Sequence, residues 1–216
     1  MFVLGIDPGL ARCGFGAVRR VAGGALSLED VGVITTGPEA ELPMRLLDVF
    51  RGLQGLIARH RPDVVAVERL FFQTNVRTAM VVGQASGLVL LAAAEAGLPV
   101  VQYTANEVKY TVAGYGAAPK AQVQKMVAAM LGLSEVPKPD DAADGVALAL
   151  CHLAHARLGA MAKNATIAGS VASPFGNARI ATSLGGVPIK ATDPAELARE
   201  RSALAGRTTV VTRKPR

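Results

Sequence analysis

Four carboxylates stand where packing alone would not put them. Asp7 ends the apolar run Phe2-Val3-Leu4-Gly5-Ile6 and opens a glycine-rich turn that reaches Gly16. Glu68 ends a second apolar run, Val64-Val65-Ala66-Val67, and Asp141 and Asp144 sit at i, i+3 spacing at the head of a helical stretch. A carboxylate at the end of a buried strand is costly unless positive charge meets it. Hard oxygen ligands in a cluster are what Mg²⁺ or Mn²⁺ requires. Such a cluster suits attack on a phosphodiester, an anion that resists nucleophiles until cations mask its charge. Each acid also has a plain reading. Asp-Pro-Gly is good turn chemistry, Glu68 could be a solvated strand end, and acids in a first helical turn complement the helix dipole. Asp140 takes that last role as an N-cap.

The elements that would position these residues can be read from the apolar pattern. Residues 2–7 form a buried strand, and 13–20 and 26–36 continue as antiparallel strands around the turn Ala22-Gly23-Gly24-Ala25. Leu46, Leu47, Phe50, Leu53, Leu56 and Ile57 recur at a helical period between Pro43 and His60. A fourth strand follows at 63–68, then an apolar helix from Asn75 to Ala96, a break at Gly97-Leu98-Pro99, and a fifth strand at 100–103. Two helices complete the pattern near 119–131 and 140–158. This order predicts an α/β protein, a mixed five-stranded sheet with helices on both faces. If strands one and four are parallel neighbours, Asp7 and Glu68 share the sheet's carboxyl edge, where open α/β sheets bind ligands.

Half of the 216 residues are hydrophobic, enough for a real core. The longest uncharged stretch, 78–94, is short of the roughly 18 apolar residues of a membrane helix and contains Gln84 and Ser86. Two cysteines without pattern exclude a disulfide framework, and the chain reads as soluble and cytoplasmic, without a membrane partner. Of 23 Lys/Arg, 9 lie in residues 163–216, against 3 of 17 Asp/Glu. That segment therefore carries the whole net charge of +6, a balance that favours nucleic acid as partner. Periodicity fades there too, so the expected division is a domain at 1–160 and a basic tail at 161–216, with a marginal helix after Asp193-Pro194.

The segments Gly5-Ile6-Asp7-Pro8-Gly9, Val67-Glu68, Gly83-Gln84-Ala85-Ser86-Gly87, Gly114-Tyr115-Gly116, Lys120-Ala121-Gln122-Val123-Gln124 and Asp141-Ala142-Ala143-Asp144 resemble, in order and spacing, the RuvC family of crossover-junction endodeoxyribonucleases. The resemblance covers roughly residues 2–158. It implies an RNase H-like fold, a homodimer, and nicking of four-way (Holliday) DNA junctions with two Mg²⁺ ions per site, Mn²⁺ able to substitute. It makes Asp7, Glu68, Asp141 and Asp144 the catalytic metal ligands, with Asp7 bridging both ions. It also implies DNA contacts by Lys109 and Lys120, base stacking by Phe71 at the crossover, a phosphate contact by Arg77, and work alongside the RuvA and RuvB branch-migration proteins. Two rivals share parts of the pattern. A YqgF-type RNase H-like nuclease would act on RNA. An actin-like ATPase or sugar kinase would use the first glycine-rich turn as a phosphate loop but needs a second lobe.

Overall fold

Strands buried on both faces should be apolar, and β1 (Phe2–Asp7) is until its last residue, Asp7. Alternate residues serve opposite layers: Val3 joins one core, while Phe2, Leu4 and Ile6 join the other. β4 (Val64–Glu68) divides likewise, with Val64 and Ala66 on one side and Val65 and Val67 on the other. The computed structural model describes residues 1–69, 76–168 and 210–212. It divides into two compact units, Met1–Arg157 with Thr208–Arg216, and Leu158–Arg207.

The first unit is built on a mixed sheet. β1, β2 (Arg12–Arg20) and β3 (Leu26–Thr35) form an antiparallel meander, and β4 and β5 (Val100–Tyr103) add in parallel on the other side of β1. The five expected strands are therefore present in an α/β sheet. A short β6 (Val210–Thr212) extends the sheet by pairing antiparallel with β3, giving the order β5-β4-β1-β2-β3-β6. Its residues are β-branched throughout, the type that suits a pleated surface.

Helices α1 (Leu42–His60) and α2 (Val76–Glu95) cover one face. Helices α3 (Ala105–Ala113), α4 (Lys120–Leu131) and α5 (Asp140–Ala168) accompany the other. α3 has no long apolar period to announce it. Its signal is a capping box: the Thr104 hydroxyl accepts from the Glu107 backbone N–H, and the Glu107 carboxylate accepts from the Thr104 N–H. α5 continues ten residues beyond the expected end near 158. The proposed short helix after Asp193 lies outside the described residues. No described helix is long and apolar enough to cross a membrane.

The three histidines hold the frame together. His60 Nε2 lies 2.8 Å from Asp30 Oδ2, His152 Nδ1 2.8 Å from the Tyr103 hydroxyl, and His155 Nε2 3.1 Å from the Thr111 hydroxyl.

Candidate active site

β1 and β4 run parallel with Ile6 opposite Val67, so the next residue of each strand delivers a carboxylate to the same edge. Asp7 and Glu68 line one cavity of about 270 Å³ together with Asp144, Lys109 and Lys120, over an apolar floor that includes Val108 and Leu148. The carboxylates come from two strand ends and one helix. The lysines come from α3 and from the first residue of α4.

How α5 comes so near the sheet is written in glycines. A Cβ on Gly14 would overlap the Asp141 carbonyl oxygen, and one on Gly5 would overlap the Gly145 carbonyl and reach 2.6 Å from the Ala149 nitrogen. From the helix side, a Cβ on Gly145 would stand 2.7 Å from the Phe15 backbone. Backbone therefore rests on backbone, and the head of α5 with its acids is pinned beside the end of β1. The glycine-rich turn serves this docking.

Electrostatics show how much negative charge the arrangement collects. Burial, then Asp144, Glu68 and Asp141, push the Asp7 carboxyl up to about 7, with Lys120 opposing weakly. Burial followed by Asp144 raises Glu68, against the pull of Lys109. Asp144 is also raised, because burial outweighs the Lys120 ammonium donating to its Oδ2 at 2.8 Å. Burial alone would lower Lys120, but that hydrogen bond and the charges of Asp144, Asp140 and Asp141 raise it instead. Lys120 Nζ is also 3.8 Å from Asp140 Oδ2, so Asp140 is an ion-pair partner.

Asp141 does not line the cavity; its Oδ2 accepts from Arg12 Nε at 2.6 Å. Arg12 is the residue the sequence pattern leaves out. Its only trace there is a basic side chain at the far end of the glycine-rich turn. Phe71 and the side chain of Arg77 lie outside the described residues.

The donor set fits a divalent ion. Four carboxylates offer hard oxygens, and burial first, then their neighbours' charges, make Asp7, Glu68 and Asp144 hold their protons more tightly than usual. Among the described residues, no three acidic, histidine or cysteine groups already converge as a closed cage. An open oxygen set suits Mg²⁺, which keeps several of its waters.

The family model described as crossover junction endodeoxyribonuclease RuvC matches residues 3–152. The chain belongs to the RuvC family. Among curated members, the RuvC crossover junction endodeoxyribonuclease of Salinispora arenicola is 56% identical over 153 residues, covering 71% of this chain and 87% of that one. The Chloroflexus aggregans member is 55% identical over 152 residues, 70% of this chain and 92% of its own. The structure of Thermus thermophilus RuvC in complex with a Holliday junction substrate superposes with a TM-score of 0.70 at 40% identity, covering 74% of this chain and 96% of that one. Asp7, Glu68, Asp141, Asp144, Lys109 and Lys120 all fall inside the span that the family model matches.

Proposed function

We propose that this chain is a Holliday junction resolvase that works as a homodimer, cutting two opposing strands with Mg²⁺ held by Asp7, Glu68, Asp141 and Asp144. The observation that carries the reading is the parallel β1–β4 register, which puts Asp7 beside Glu68 in the cavity that Asp144 and two lysines complete. Two divalent ions would be held by these four carboxylates. The chemistry such ions would supply is an acidified water for attack and masking of the phosphodiester's charge. Asp7, Glu68 and Asp144 would hold the cations at the edge of the sheet. Lys109 and Lys120 offer ammonium protons to the non-bridging oxygens as negative charge builds. Water oxygen bonds to phosphorus, the 3′-oxygen leaves and takes a proton, and the products are a 5′-phosphate and a 3′-hydroxyl.

A four-way junction has approximate two-fold symmetry, and a two-fold dimer matches it with one site on each of two opposing strands. Support for the dimer comes from α2, where Met80, Leu90 and Leu91 are exposed and a Cβ added at Gly87 would meet nothing within 4 Å beyond its own helix. In this reading Phe71 stacks on an opened base, Arg77 meets phosphate, and RuvA and RuvB deliver the junction.

The test is Asp7→Asn on a junction, a linear duplex and structured RNA, each with Mg²⁺. Wild type should nick the junction in symmetric pairs and spare the other two. The variant should lose at least a hundredfold in rate, on the order of removing a metal ligand, while keeping junction affinity. Nicking by the variant at the wild-type rate would refute the ligand assignment, and preferred cleavage of RNA would refute the substrate.

A further inference from the structure

Arg12 stands at the start of β2, paired with Thr35, and its Nε donates to Asp141 Oδ2 at 2.6 Å across 129 residues of sequence. The contact is not a chance meeting of two loose surface groups. Gly14, two residues on, packs against the Asp141 backbone so closely that no Cβ fits between them. Both ends of the ion pair are therefore held by main chain. The side chains are 50% and 31% exposed, so the pair is partly open to solvent, and a guanidinium engaged through Nε keeps further N–H donors.

We infer that Arg12 is an exchangeable counter-charge: it occupies Asp141 until a divalent ion claims that carboxylate, then turns its fork of donors to a phosphate of the strand being cut. The inference rests on the proposed reading of Asp141 as a metal ligand. An oxygen lone pair engaged by Nε–H is unavailable to an ion, and a fixed positive charge repels a second one arriving beside it. Release by the ion frees a guanidinium whose planar donors match phosphate oxygens in pairs. Metal and DNA then assist each other, because each takes one half of a pair that would otherwise be closed.

The experiment is Mn²⁺ titration of the DNA-free full-length protein by calorimetry, for wild type, Arg12→Ala and Arg12→Gln, with junction binding measured in EDTA and in Ca²⁺. Removing the arginine should tighten Mn²⁺ binding about three- to tenfold, the scale of one exposed ion pair plus one nearby like charge. The gain in junction affinity from EDTA to Ca²⁺ should shrink by a similar factor. On an Asp141→Asn background, Arg12→Ala should tighten Mn²⁺ binding by less than it does in the wild-type protein, since only the like charge remains to be removed. Unchanged Mn²⁺ affinity in both Arg12 variants overturns the inference. Weakened affinity also overturns it, and would make Arg12 a prop that orients Asp141. Failure of the wild-type protein to bind Mn²⁺ at all defeats the ligand assignment beneath it, a separate result.

Discussion

Asp7 bears the heaviest electrostatic load in the site, and this makes the fold itself sensitive to pH. Its carboxyl rises from 3.8 to about 7 in the folded protein, chiefly through burial and then through Asp144, Glu68 and Asp141. A folded pKa above the unfolded one means stability that is present below pH 3.8 and is lost as pH rises through 7. Without metal, Asp7→Asn should therefore melt higher than wild type at pH 8, by on the order of 1–2 kcal/mol after allowing for solvent screening. The difference should vanish near pH 4. Melting curves in EDTA from pH 4 to 8 check this, and parallel profiles for the two proteins would contradict it. Conversely, stabilisation of wild type by Mn²⁺ should grow with pH over the same range, since the ion displaces a proton. Asp7 and Glu68 were legible in the sequence because a charge that ends an apolar run has few reasons to be there. Arg12 was not, because its partner lies far along the chain and only the folded helix joins them.

The parallel pairing of β1 and β4 was foreseeable from the order of strands and helices. α3 escaped notice because its length supports too few periodic positions; only the capping box marks it. That box fixes the end of the helix that carries Lys109 into the cavity. Thr104→Ala should destabilise the protein by about 1 kcal/mol, measured by urea unfolding, and should slow nicking more than Lys109-independent DNA binding changes. Equal stability would show that Glu107 alone suffices to hold the turn. The close docking of α5 was equally hidden, since glycines in a row read first as a loop.

At the scale of the whole chain, α2 resolves an ambiguity in its own sequence. An almost unbroken apolar helix demands burial on every side, yet Met80, Leu90 and Leu91 stand exposed while Ala85, Val89, Ala92 and Ala93 are buried. Leu90→Glu should give a folded monomer that binds junction weakly and loses paired cutting, and sedimentation at micromolar concentration tests it. A wild-type chain already monomeric under those conditions would defeat the dimer. Residues 163–216 hold all six net positive charges. Their removal should leave the cutting chemistry intact and flatten the salt dependence of DNA binding; an unaltered salt slope would make this segment a bystander.

A joint in which main chain meets main chain leaves a genetic signature. Where a new methyl group collides with a side chain, a second mutation can trim the obstacle. Gly52 is such a case, because a Cβ there would meet only the Ile34 side chain, 2.9 Å from its Cδ1 and Cγ2. Gly52→Ala should accordingly be rescued by Ile34→Ala, whereas Ile34→Val keeps both crowding Cγ atoms and should not suffice. At Gly14 the obstacle is the Asp141 backbone, which no codon can shorten. A selection for restored resolvase activity from Gly14→Ala should return true revertants at position 14 and no intragenic suppressors at residue 141.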